Sequence, residues 1–111
     1  MNEASPGTEP AVDKDGYLLA PADWTPAIAD ALAAMSGLTL DERHRAVLLA
    51  ARDFYQRYQR SPPTRPLLKH LAQTLGPEQA ASIYLMQLFG GGSLAKTITR
   101  LAGLPKPPNC L

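Results

Sequence analysis

The stretch Asp41-Glu-Arg-His-Arg-Ala-Val-Leu-Leu-Ala-Ala-Arg-Asp-Phe-Tyr-Gln-Arg-Tyr-Gln-Arg60 carries the signal that decides the fold. Its apolar residues Val47, Leu48, Ala51, Phe54, Tyr55 and Tyr58 fall within about 120° when projected at 100° per residue, which is the period of an amphipathic helix. Arg45, Arg52, Gln56 and Arg60 take the opposite side. Asp41 suits the N-cap, because its carboxylate can accept the free amides of a first helical turn. The spacing predicts one helix, running from this cap to about Arg60, whose apolar stripe must be covered by other elements.

The same period recurs on both sides. Upstream, Thr25 is an N-cap followed by Pro26 at the first helical position. Ile28, Leu32 and Met35 then form a stripe that Gly37 closes. Downstream, Ser61-Pro-Pro63 breaks the chain, and Pro66 is expected to start a short helix with Leu67, Leu68, Leu71 and Leu75, ended by Gly76. Pro77 is expected to begin a fourth helix with Ala81, Tyr84, Leu85 and Leu88 on one face. After Gly90-Gly-Gly92, Ser93 caps a last helix bearing Leu94, Ile98 and Leu101, and Gly103 stops it. The expected fold is mainly α: a compact bundle of about five short helices forming one domain over residues 13–103. Residues 1–12 read as a loose polar segment. Asp13-Lys-Asp-Gly16 reads as a turn before an extended Tyr17-Leu-Leu19, and a small N-terminal β-hairpin there has only Ala11-Val12 for its first strand.

Composition narrows the class. At 111 residues, 45% hydrophobic and 19% charged, the chain has enough apolar material for one modest core and does not read as disordered. No apolar run approaches the eighteen or so residues of a membrane span, and Met1-Asn-Glu-Ala-Ser-Pro6 lacks a signal peptide's basic and apolar regions. A cytoplasmic protein, monomeric when free, is expected. The formal net charge of +1 gives no electrostatic case for stable nucleic-acid binding, so any RNA is expected to be handled through a partner.

Cys110 is the only cysteine and the penultimate residue, at the end of Gly103-Leu-Pro-Lys-Pro-Pro-Asn-Cys110-Leu111. A disulfide needs a partner that the chain lacks. Pro105, Pro107 and Pro108 favour an extended conformation rising roughly 3.1 Å per residue. Residues 104–111 therefore read as a semi-rigid arm that holds a nucleophile about 15 Å from the body. An unperturbed thiol is only a few per cent thiolate at neutral pH, but that fraction is strongly nucleophilic. Lys106 favours the thiolate slightly, and the Leu111 carboxylate opposes it. The bland alternative is an inert terminal thiol.

Other candidates carry less. His44 and His70 lie on different expected helices with no metal-ligand spacing around them, so no metal or cofactor is expected; capping suits His44 and packing suits His70. Arg45, Arg52, Arg65, Lys69 and Lys106 are candidate docking residues for an acidic partner, or for RNA held by one; a solvated helix face is the ordinary use of such cations. The Leu75-Gly76-Pro77 connection is compatible with a helix-turn-helix corner, and Gly90-Gly-Gly-Ser93 with an anion-binding loop. Neither has further signature support.

Several segments together carry a family resemblance. Asp15-Gly-Tyr-Leu18, Asp23-Trp24, Leu40-Asp-Glu-Arg-His44, Arg52-Asp-Phe-Tyr55, Ser61-Pro-x-x-Arg65-Pro-Leu-x-Lys69, Tyr84-Leu85, Leu88-Phe89 and Ala102-Gly-Leu-Pro-Lys-Pro-x-x-Cys110 resemble the TusE/DsrC family of small sulfur carriers, over about residues 11–111. DsrC proteins of sulfite reduction carry a second cysteine eleven positions before the penultimate one. Thr99 stands there, so the chain is similar to the single-cysteine, TusE-like branch. The resemblance implies a sulfurtransferase in which Cys110 accepts a persulfide sulfur from a TusBCD-like complex. It further implies delivery to an MnmA-like thiouridylase acting on the wobble uridine of tRNA. The alternatives are a DsrC-like accessory role in sulfur oxidation or sulfite reduction, and a non-catalytic helix-turn-helix-like binding module.

Overall fold

The computed structural model describes residues 9–108. Residues 1–8 of the expected N-terminal segment, and residues 109–111 with Cys110, lie outside the described residues. Five α-helices follow in order: α1 Pro26–Ala34, α2 Glu42–Tyr58, α3 Thr64–Leu75, α4 Ser82–Phe89 and α5 Leu94–Leu101. Two short 3-10 turns, Pro21–Asp23 and Pro77–Ala80, flank α1 and α4. The architecture is mainly helical, as the periodicity predicts.

Helices α2 and α5 hold the centre. The stripe of α2 places Val47, Leu48 and Ala51 out of reach of solvent against α3, α4 and α5. Helix α5 buries Ala95, Ile98 and Leu101 completely, against α1, α2, α3 and α4. Leu32 from α1, Leu67 and Leu71 from α3, and Leu85 from α4 complete the core. Burying one such leucine contributes roughly 1.5–3 kcal/mol, so about ten fully buried side chains provide most of the stabilisation that opposes chain entropy.

The expected element ends need three corrections. Tyr58 lies at the fraying end of the α2 stripe and is 54% exposed, its ring tilted on Phe54. Helix α3 starts at Thr64, with Pro63 as N-cap, so Pro66 occupies the third helical position. A missing amide costs nothing in that first turn. Pro77 does not begin α4: the 3-10 turn Pro77–Ala80 packs along α3, whereas α4 starts at Ser82 and packs on α5. One straight helix could not follow both, and Ala81 between them is extended and exposed. No tight helix-turn-helix corner forms at Leu75-Gly76-Pro77.

The N-terminal hairpin reduces to one antiparallel bridge between Val12 and Leu18. Asp13 organises the turn, its carboxylate accepting the amides of Asp15 at 2.8 Å and Tyr17 at 3.0 Å. Tyr17 and Leu18 are buried, which fastens this loop to the helical body.

The start of α2 is a capping box that includes a buried histidine. Asp41 Oδ1 accepts the amides of Arg43 and His44, while the Asp41 amide donates to His44 Nδ1 at 3.1 Å. Nδ1 is then the acceptor, so Nε2–H donates to the Leu88 carbonyl at the end of α4, 2.7 Å away. The ring stands edge-on to Phe89, centroids 5.0 Å apart. The Arg43 guanidinium beside it holds the Asp41 carboxyl well below the usual range, so this contact favours the fold above the ordinary value of 3.8 and is lost as pH falls below it. His44 thus joins two helix ends, the capping role expected of it but in a buried setting. His44→Ala leaves the Leu88 carbonyl without its donor and the Asp41 amide without its acceptor, and should cost about 1–3 kcal/mol in denaturant unfolding; a loss below about 0.5 kcal/mol would show that the bridge is not structural.

Candidate functional site: the anchored base of the C-terminal tail

The chain runs to Cys110 through the end of α5. Gly103 adopts φ +73, a left-handed conformation that favours glycine. With it, the Gly103 amide donates to Arg100 O at 3.2 Å and the Leu104 amide to Thr99 O at 3.0 Å, the paired bonds of a Schellman ending. Two further carbonyls at this end are reached by side chains from elsewhere. Trp24 Nε1–H donates to Leu101 O at 2.9 Å. Arg52 Nη1 donates to Ala102 O at 2.8 Å, and Nη2 to Pro21 O at 3.2 Å.

The two side chains also hold each other. The Arg52 guanidinium lies 4.6 Å from the centroid of the Trp24 ring, within range of a cation–π contact. Burial lowers the pKa of Arg52, an effect partly opposed by Tyr55. The guanidinium nevertheless stays charged at neutral pH, and it faces the negative end of the α5 dipole. A Cβ added at Gly103 would sit 2.4 Å from Trp24 Cδ1. The glycine is therefore required twice, by its backbone conformation and by the indole pressed against it.

The anchoring continues past the glycine. Leu104 is completely buried. Ser61 Oγ donates to the Pro105 carbonyl, Lys106 Nζ lies 3.8 Å from an Asp15 carboxylate oxygen, and Pro107 is buried. Residues 104–107, expected to stand off as an arm, are instead packed on the body, because apolar Leu104 and Pro107 find cover and the carbonyl of Pro105 finds a donor. Three residues lead from Pro107 to Cys110, a span of at most about 11 Å, shorter than the proline content alone suggests. Cys110 itself, the expected catalytic residue, lies outside the described residues.

The candidate docking residues do not form one face. Arg52 is a structural tie and not a solvated helix residue. Arg45 reaches Asp30 at 3.4 Å on α1, and Lys106 pairs with Asp15 on the tail side. Arg65 and Lys69 are exposed one turn apart on α3. His70 is nearly buried, its Nε2 3.0 Å from Asp53 Oδ2. Gly90-Gly-Gly92 is an exposed loop, and Ser93 spends its side chain on the Lys96 amide. In the sequence, Trp24 stands out only within the family resemblance and Ser61 there and as the start of a chain break; a lone tryptophan just before the Thr25 cap is the local sign of a packed ring.

Gly103→Ala should lower stability by more than about 2 kcal/mol, adding a left-handed penalty to a clash. Arg52→Met keeps the length but strips charged hydrogen bonds worth about 1.5–3 kcal/mol each before overlap, and should shift the emission of the single tryptophan. Wild-type stability in both variants would show that the tail base is not held as described.

Comparison with known proteins agrees with the sequence and fold. The family described as DsrC like protein matches residues 4–111. Sulfurtransferase TusE homolog of Haemophilus influenzae is 46% identical over 105 residues, covering 95% of each chain. Sulfurtransferase TusE of Sodalis glossinidius is 46% identical over 105 residues, covering 95% of this chain and 96% of its own. The NMR structure of Allochromatium vinosum DsrC matches with a TM-score of 0.83 at 41% identity, over 96% of this chain and 95% of that one. The crystal structure of the oxidized gamma-subunit of the dissimilatory sulfite reductase (DsrC) from Archaeoglobus fulgidus matches at 0.74 and 31%, over 96% of each. By sequence along almost its whole length and by fold, this chain belongs to the DsrC-like family.

Proposed function

We propose that this chain is a sulfurtransferase of the relay type, with Cys110 as the carrier. The observation that carries the reading is the likeness to proteins named sulfurtransferase TusE across 95% of both chains, in a sequence whose one thiol is penultimate. In the proposed step the Cys110 thiolate attacks the outer sulfur of a donor persulfide. The new S–S bond makes Cys110-S-SH, the donor's S–S bond breaks, and its cysteine leaves as a thiolate. No net oxidation is involved, so no redox cofactor is needed. The donor is proposed to be TusBCD-like and the acceptor an MnmA-like thiouridylase acting on tRNA, in the cytoplasm. Arg65 and Lys69 are proposed to help engage the acceptor side.

A second reading, an accessory protein of sulfite reduction, is favoured by the likeness to Archaeoglobus fulgidus DsrC. Against it, Thr99 is completely buried and donates to Ala95 O at 2.7 Å, where the resemblance puts a second cysteine in DsrC proteins. With one cysteine, no internal disulfide can form.

Incubation with a cysteine desulfurase, cysteine and a relay protein should add the mass of one sulfur atom, removable by a reductant. Cys110→Ser should gain nothing. Equal loading of that variant would sink the proposal.

A further inference from the structure

Net charge conceals a segregated surface. Residues 54–76 hold four of the eleven cationic side chains, Arg57, Arg60, Arg65 and Lys69, and none of the ten carboxylates. The segment folds as the end of α2, the Ser61-Pro-Pro63 corner and α3, two elements packed on each other. Along α3, Arg65, Lys69 and Gln73 follow at i, i+4 and i+8, on one row. All three are exposed, with no hydrogen-bond or ion-pair partner among the described residues.

Beside this row lies a cavity of about 190 Å³ lined by Phe54, Tyr58, Pro66, Lys69, His70 and Gln73. It is smaller than the roughly 300–1,000 Å³ of sites that enclose a whole small molecule, so it suits one ring of a larger ligand. Its walls are flat: Tyr58 tilts on Phe54 with centroids 4.6 Å apart, and His70 stands edge-on to Phe54 at 5.5 Å. Tyr58 leaves more than half its surface to solvent. Among the described residues no carboxylate lines the cavity, and Asp53, bonded to the lining residue His70 Nε2 at 3.0 Å, is also engaged by Arg57 Nε at 2.9 Å. The groove therefore offers hydrogen-bond donors and aromatic faces.

We propose that the groove between α2 and α3 binds single-stranded RNA, with one base stacked on Tyr58 in the cavity and adjacent phosphates on Arg65 and Lys69. Cations lining a groove with an exposed ring are the working parts of single-strand binders, where stacking tolerates any base. An acidic protein segment would use the cations but gain little from the ring pocket. The contact is local and weak, which a net charge of +1 allows. It deepens the acceptor half of the proposed relay by having the carrier touch the nucleic acid directly. It does not depend on sulfur chemistry at Cys110.

The test is anisotropy of a labelled single-stranded RNA of about ten nucleotides titrated with the full chain carrying Cys110→Ser. Binding should appear at low salt and fall with a log–log slope of about 1.4, near 0.7 for each of the two phosphates held by Arg65 and Lys69. Lys69→Gln should lower the slope by about 0.7. Tyr58→Ala should weaken binding about tenfold with the slope unchanged, Tyr58→Phe should restore it, and Arg45→Gln, outside the groove, should change nothing. Absence of binding at low salt overturns the proposal. So does polyglutamate of equal length competing as well as RNA with no effect of Tyr58→Ala, which would assign the groove to an acidic protein. Sulfur loading of Cys110 without RNA binding would leave the relay standing and remove this contact alone.

Discussion

Two side chains from outside α5 hold the end of that helix, where the C-terminal segment begins. The last carbonyls of any helix lack intrahelical donors, and at this end Trp24 and Arg52 supply two of them. The two also touch, the guanidinium lying over the indole ring. Because Arg52 Nη2 also reaches Pro21 O, one side chain of α2 ties the segment before α1 to the end of α5. Loss of this tie would loosen the segment before α1 and the end of α5 together.

The rest of the structure keeps that tie in place. Helix α2 must be held firmly for Arg52 to aim, and the His44 bridge to Leu88 fixes its first turn while the core packs its middle. Gly103 permits the indole to close against the backbone, and Leu104 and Pro107 then commit the chain to the surface of the body. The proposed relay would benefit from such an arrangement, since a thiol presented from a fixed base loses less freedom on entering a partner's pocket than one on a free tail.

The helices were legible because their stripes and caps are local: Thr25, Asp41 and Ser93 all accept backbone amides where they were expected to. The division at Ala81 was not, since it depends on packing against both α3 and α5, which no local pattern encodes. Arg52 departs from its sequence pattern for a related reason. Its place opposite the apolar stripe marks it as solvated, and only the three-dimensional approach of Trp24, Ala102 and Pro21 turns it inward. The extent of the arm was overread because proline content signals stiffness without saying what the chain lies against. Net charge is silent on distribution: a value near zero averages a segment, residues 54–76, with four cations and no carboxylate against a remainder with more carboxylates than cations.

The central claim is that a fixed base sets the reach of Cys110. Inserting two glycines after Pro107 should leave the described body folded and Cys110 loading from a small-molecule persulfide at the wild-type rate. Single-turnover delivery from that loaded variant to the acceptor enzyme should fall by about tenfold or more, since small misplacements of a reacting group are costly. Delivery at the wild-type rate would contradict the account, showing that the thiol finds its partner without help from where the tail is anchored.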